Sequence, residues 1–381
     1  MRRKKGLGNR DQGTGSVVRK QGILPTHYDC KHLLPIPSPQ SLVPVPFFLL
    51  FFLLCFIFLY PTNAGAQESL PAGQADTAVP APEAPRFALS PDEARPGEPV
   101  TIGYSDNFEN REAAFQDLHA VLLDSGGKRL EKAAFFNLPR DEGEQELKAA
   151  ILAIPSTAAS GNAVIRIESA AGIICDLPFV IDSRKFLSET IPLDQGNTDL
   201  RTKPDAQKTA EAEQLWAILT HTGTEIYSGG PFTAPVTSTR RTSQYGDRRV
   251  YKYNDGTDDT TIHAGIDFGV PKGTEVRACA RGKVVLTKLR IVTGNTVILE
   301  HLPGLYSLYY HMDKITAREG SIVEAGTLLG LSGSTGLATG PHLHWEIRVS
   351  GEYADPDSFL SHPVLDKKDI FNKMRKETNE E

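Results

Sequence analysis

HAGIDFG (His263–Gly269) and HLHWEI (His342–Ile347) are the stretches on which the reading of this chain turns. In the first, Ile262, Ala264, Ile266 and Phe268 alternate with His263, Gly265, Asp267 and Gly269. That is the period of a strand, so His263 and Asp267 are expected on one face. A helix would also bring residues four apart together, but Gly265, Gly269 and Pro271 argue against one. The second stretch alternates likewise, with His342 and His344 on one face and Leu343, Trp345 and Ile347 on the other. Two strands presenting imidazole and carboxylate groups from one face can supply three ligands and leave a fourth position open, as catalytic zinc requires.

A third histidine joins them. In LYSLYYHM (Leu305–Met312), strand alternation puts Ser307, Tyr309 and His311 on one face and Leu308 and Tyr310 on the other. Five of the ten histidines (263, 301, 311, 342 and 344) fall in this window, and their joint occurrence carries more weight than any single short motif. His301, before the Leu302-Pro303-Gly304 turn, reads as an exposed hairpin residue. Spacing alone does not say which of His342 and His344 would bind a metal.

Five motifs in order extend the pattern: TSQYGDRR (Thr242–Arg249), HAGIDFGVPKGTEVRA (His263–Ala278), ARGKVV (Ala280–Val285), YYHM (Tyr309–Met312) and GSTGLATGPHLHWEI (Gly333–Ile347). With them, the segment from about Thr242 to Asp355 resembles the lysostaphin/LytM-type zinc metalloendopeptidases, which cut the peptide part of bacterial peptidoglycan. The resemblance implies an antiparallel β-sheet metallopeptidase domain with His263, Asp267 and His344 as Zn2+ ligands. It implies His311 and His342 as catalytic histidines outside the ligand set. One departure stands out: relatives often carry a tyrosine shortly before the first metal histidine, whereas DGTDDTTI (Asp255–Ile262) has none, and Tyr251 and Tyr253 are the nearest.

The residue types suit the chemistry. Two neutral imidazoles and one carboxylate leave zinc with net positive charge, able to polarise a carbonyl and acidify bound water. A neighbouring histidine can take the water proton and return it to a leaving amine. Gly265, Gly269, Gly333, Gly336 and Gly340 would leave room for a peptide backbone, although Gly333 and Gly336 read equally well as turn residues. H-E-x-x-H, G-x-S-x-G and C-x-x-C do not occur, nor does Gly-Lys followed by Ser or Thr.

The first 66 residues read as an export leader. Residues 1–31 carry eight Lys or Arg against Asp11 and Asp29, a net of +6, and residues 32–66 carry no Asp, Glu, Lys or Arg. Phe47–Tyr60 is an apolar run of fourteen, followed by the A-x-A pattern Ala64-Gly65-Ala66. This is the pattern of a signal peptide cut after Ala66, with inner-membrane anchoring through 47–60 as the alternative. The whole chain is −6, so the remainder is −12, a poor balance for nucleic acid, which is not expected as a partner. The expected location is the periplasm or cell envelope. Cys175 and Cys279 are expected as buried thiols rather than a bridge.

Residues 67–86, rich in Ala, Pro and Glu, read as a linker. Six apolar runs between turn signals follow: Pro99–Ser105, His119–Asp124, Lys132–Leu138, Leu147–Ile154, Ala163–Ser169 and Ile173–Ile181. They suggest an immunoglobulin-like β-sandwich over 87–182. Residues 183–236 read as a connector with one helix, Asp205–Leu219, residues 237–360 as the metallopeptidase domain and 361–381 as a charged tail. The fold class is therefore mainly β. Two functions are consistent with it: a zinc endopeptidase hydrolysing peptidoglycan cross-links, and a non-catalytic wall-binding or amidase-activating module of the same fold. The complete ligand set favours the enzyme.

Overall fold

The computed structural model describes residues 27–29, 86–105, 117–140 and 146–375. The apolar run 47–60 and the A-x-A pattern lie outside them, as does the linker apart from Arg86. Among the described residues no helix is long and apolar enough to cross a membrane.

The chain is mainly β, and each of the six apolar runs contains a strand. Two five-stranded sheets form the first unit. One orders His27–Asp29, Arg86–Ser90, Pro99–Ser105, Leu147–Ala153 and Phe136–Asn137; the other orders Glu93–Ala94, Gly172–Ile181, Gly161–Ser169, His119–Leu123 and Arg129–Ala134. Alternate residues of both sheets share one apolar core, including Ile102, Leu122, Leu152, Ile165 and Phe179. The run Lys132–Leu138 is divided between the sheets: it leaves one after Ala134 and enters the other at Phe136.

From Ala149 onward, strand Leu147–Ala153 is buried on both faces, which explains the unbroken apolar sequence of that part. Ala150 and Leu152 face the shared core, whereas Leu147, Ala149, Ile151 and Ala153 join a second core that extends into the C-terminal half of the chain. The expected charged tail is part of that junction. Residues Lys367–Arg375 form a helix whose Ile370 and Met374 are buried against Arg86–Ser90 and its neighbour. Gly103 makes the room, since a Cβ there would lie 2.2 Å from the Ile370 Cγ2.

The connector is more structured than one helix. Strand Ser188–Pro192 and helix Gln195–Thr202 precede the expected helix, Ala206–Leu219. Asp205 caps the latter by accepting from the Gln207 and Lys208 amides. The additional helix, QGNTDLRT, carries a single large apolar residue and therefore no apolar period; it is held by the Asp194 cap and by Arg201, which pairs with Asp259.

The C-terminal half is a ten-stranded antiparallel sheet, whose main path runs Arg241–Ser243, Gly265–Phe268, Leu343–Val349, Leu305–Ile315, Gly294–Leu302, Gly282–Arg290 and Ile322–Val323. Leu343, Trp345 and Ile347 are fully buried on its inner face. Gly265 is required for this packing: a Cβ would lie 2.2 Å from the Trp345 carbonyl oxygen. A three-stranded sheet of Ser188–Pro192, Arg248–Lys252 and Asp258–Ile262 stands beside it. Residues 262–269 are thus not one strand. The chain leaves the small sheet at Ile262 and enters the large one at Gly265, with His263 at the crossing.

Candidate metal centre

Register brings the first two donors together. Asp267 and His344 are direct partners on antiparallel neighbours, so their side chains leave the same face side by side. The His344 Nδ1 lies 2.8 Å from the Asp267 Oδ1. His263 arrives from the crossing, its Nε2 3.2 Å from the same carboxylate oxygen and 3.0 Å from the His344 Nδ1. The turn in TSQYGDRR places it. The His263 amide donates to the Asp247 carbonyl, the Gly246 amide donates to the His263 carbonyl, and the His263 Nδ1–H donates to the Gln244 carbonyl at 2.7 Å. That last bond leaves the Nε2 lone pair facing the other two donors.

The triangle fits a cation. Tetrahedral zinc with bonds of about 2.0–2.1 Å separates its ligand atoms by about 3.3 Å, a little more than the 2.8–3.2 Å seen here. All three residues are buried. Burial disfavours charge on His344, yet the Asp267 and Glu346 carboxylates outweigh it and push the imidazole pKa up to about 9. Burial alone would raise the Asp267 pKa, but the two histidines hold it well below the usual carboxylate range. The pocket therefore favours positive charge where the three donor atoms meet.

His342 and His311 stand beside this triangle. His342 occupies an isolated bridge to Gly333, just before strand Leu343–Val349 begins, and its Nε2 is 3.8 Å from the Asp267 Oδ1. Its Nδ1–H donates to the Gly340 carbonyl at 2.8 Å. The His311 Nδ1–H donates to the Thr335 carbonyl at 2.8 Å, and the two rings lie 4.7 Å apart between centroids. Both histidines thus keep Nε2 as the unused acceptor. Burial, reinforced by His342 and His344, pushes the His311 pKa down to about 3, so its ring is neutral.

Strict alternation does not put His311 there. Tyr309 pairs with Trp345 and Tyr310 with His344, so it is Tyr310 that shares the His344 face, stacked on that ring at 5.3 Å. His311 reaches the site because Tyr310 and His311 together oppose Thr296, a bulge, and His311 takes φ 59°. The expected grouping of Ser307, Tyr309 and His311 is broken at that residue.

His301 is also not where the turn signal placed it. It is fully buried, its Nδ1–H donating to the Arg281 carbonyl at 2.8 Å and its Nε2 accepting from the Ser307 hydroxyl at 2.7 Å. Tyr251 and Tyr253 are engaged by Arg201, which lies 4.3 Å over the Tyr251 ring and donates to the Tyr253 hydroxyl at 2.8 Å. Of the five glycines read as backbone room, Gly340 alone has open space beside it; the others face protein. Cys175 and Cys279 form no disulfide.

Three contributors had no role in the sequence reading. Glu346 lies 3.5 Å from the His344 Nε2, and its parity with His342 and His344 could have found it. Arg249 donates to the Asp267 Oδ2 at 2.5 Å and to Glu189 at 2.7 Å. Arg249 sat unremarked inside a quoted motif; Glu189 carried no signal.

Residues 261–356 match peptidase family M23. Over 142 residues, 37% of this chain and 32% of the relative, the chain is 37% identical to the DD-carboxypeptidase/endopeptidase Mpg of Neisseria meningitidis serogroup B. Over 118 residues, 31% of this chain and 27% of the relative, it is 39% identical to the peptidoglycan DD-endopeptidase ShyA of Vibrio cholerae serotype O1. The chain thus spans about a third or less of the length of these curated relatives. Among solved structures, a mutant catalytic domain of the prophage-encoded M23 protein EnpA from Enterococcus faecalis is 33% identical, covering 32% of this chain and 95% of that one with a TM-score of 0.28. The segment that matches peptidase family M23 carries His263 and Asp267 at one end and His344 near the other.

Proposed function

We propose that this protein is a zinc-dependent endopeptidase that hydrolyses peptide cross-links of bacterial peptidoglycan. The observation that carries the reading is the convergence of the His263 Nε2, Asp267 Oδ1 and His344 Nδ1 within 2.8–3.2 Å, beside two imidazoles with free Nε2 acceptors. The three converging residues are the zinc ligands in this reading. When bound, zinc supplies Lewis acidity to the scissile carbonyl and a water whose pKa falls to about 7.

The chain's own groups do the rest. Neutral His311, held by Thr335, and His342, held by Gly340, accept a water proton at Nε2 and return it to the leaving amine. Their carbonyl anchors fix both tautomers, so neither ring must reorient between the two transfers. Glu346 supports His344 from behind as a carboxylate–histidine pair, an arrangement that orients a metal-bound imidazole. The two-sheet unit within 87–182, read as an immunoglobulin-like sandwich, holds this domain through the shared core and the helix Lys367–Arg375. On this reading the chain is exported by its basic, apolar leader and works in the cell envelope.

Digestion of purified sacculi with the exported portion tests the proposal. New amino and carboxyl termini within the cross-linking peptides, identified by mass spectrometry and abolished by a chelator, are expected. Sacculi bound but left uncut by zinc-loaded protein would assign the chain to the non-catalytic class.

A further inference from the structure

Asp267 is held from outside the matched family segment. Its Oδ1 faces His263 and His344, while its Oδ2 accepts from the Arg249 guanidinium at 2.5 Å. The Arg249 Nε donates at 2.7 Å to the Glu189 Oε1, which also accepts from the Ser243 hydroxyl at 2.8 Å. Arg249 and Asp267 are nearly sequestered from water, their side chains 14% and 9% exposed. Glu189 lies on strand Ser188–Pro192, which pairs in parallel with Arg248–Lys252 and aligns Glu189 with Arg249. Neither Glu189 nor Arg249 falls within residues 261–356.

We infer that Glu189 and Arg249 are positioning residues that clamp Asp267 so that it offers a metal one oxygen only. The inference rests on the metal-centre reading given above. Three physical points support it. A carboxylate whose second oxygen is committed to a guanidinium cannot turn to bind bidentately, so the coordination number stays low and a position stays open for water. The planar fork lets one arginine satisfy Asp267 and Glu189 together, which a lysine ammonium cannot reproduce in the same geometry. Glu189, itself held by Ser243, fixes the guanidinium from its far side, so the fork stays aimed at the Asp267 Oδ2. The clamp thereby makes the metal site depend on the connector strand that follows the two-sheet unit.

Zinc affinity of the full chain, measured by competition with a chromophoric chelator, tests this without reference to turnover. Arg249→Met should weaken zinc binding by roughly ten- to a hundredfold, and Arg249→Lys should not restore it. Glu189→Ala should weaken binding in the wild-type background and have no further effect in Arg249→Met, whereas Glu189→Gln, which keeps an acceptor for Arg249 and Ser243, should stay within about threefold of wild type. Melting of the metal-free variants separates lost folding from lost positioning. Wild-type zinc affinity in Arg249→Met, or an undiminished Glu189→Ala effect in that background, would overturn the clamp while leaving the metal centre intact. Should Arg249→Met not fold, the Glu189 pair decides alone: loss in Ala with retention in Gln upholds the clamp, and equal affinity in both overturns it. Failure of the wild type itself to bind zinc would remove the metal centre and this inference together.

Discussion

Two polar clusters, one built around a single histidine and one around four, lie on opposite faces of the same antiparallel sheet, and they differ in what their polar atoms are left to do. On the inner face His301, Ser307, Tyr309 and Cys279 form a closed set: His301 uses both ring nitrogens, a hydrogen bond also joins the Ser307 and Tyr309 hydroxyls, and the Tyr309 hydroxyl accepts from the Cys279 amide. Burial there pushes the Cys279 thiol up to about 11 and the His301 imidazole down to about 4, so both stay neutral. On the outer face three donor atoms converge, and two neighbouring imidazoles each spend one nitrogen on a backbone carbonyl and keep the other free. Similar residues thus make a network whose hydrogen bonds close on one another on the inner face, and on the outer face a set whose donor atoms converge on one point.

The largest effect expected from breaking this contrast is loss of the metal. His344→Ala should reduce zinc from about one ion per chain to almost none by elemental analysis, with sacculus hydrolysis falling below detection, and chelation of the wild type should do the same. Full zinc occupancy in that variant would remove His344 from the ligand set.

Next in size are the two histidines proposed for proton transfer. His311→Ala and His342→Ala should retain zinc and a folded domain while turnover drops by about two to four orders of magnitude. A variant that sheds its zinc would instead identify that histidine as a ligand.

The closed cluster should respond in stability and not in catalysis. The folded protein favours neutral His301, with a pKa of about 4 against an ordinary 6.5. Its contribution is complete above about pH 6.5 and is lost as the pH falls toward 4, amounting to about 3 kcal/mol at full expression. Denaturant unfolding at a series of pH values should show that loss, and His301→Gln should show a shallower slope over the same window. An unchanged slope in the variant would mean that other groups carry the acid sensitivity.

The smallest effect expected concerns the bulge that turns His311 out of register. A left-handed φ disfavours a residue with a Cβ by about 1–2 kcal/mol. Comparing two inactive variants isolates it: His311→Gly should melt higher than His311→Ala, by about 1 kcal/mol. Equal stability would show that the surrounding loop, and not the dihedral, sets the cost.

The residue types, and their approximate faces, were legible because strand sterics act locally. A period of two is set by each residue and its neighbours, so His342-x-His344 and the six apolar runs before residue 182 announced themselves without any partner in view. The same locality makes the continuous apolar stretch Ala149–Ala153 visible, and its two faces meet different cores. What no local rule carries is register and long-range pairing. That Asp267 sits opposite His344 and not His342 depends on how two strands seventy-odd residues apart align. That His311 leaves its expected face depends on one extra residue opposite Thr296, and that His301 is sealed from water depends on Phe232, which packs on its ring from the connector. The hold of Glu189 on Asp267 through Arg249 required three separate strands to meet. Side-chain chemistry and strand period belong to the sequence, whereas the choice of which donors converge, and which are closed off, comes from the free energy of packing distant segments together.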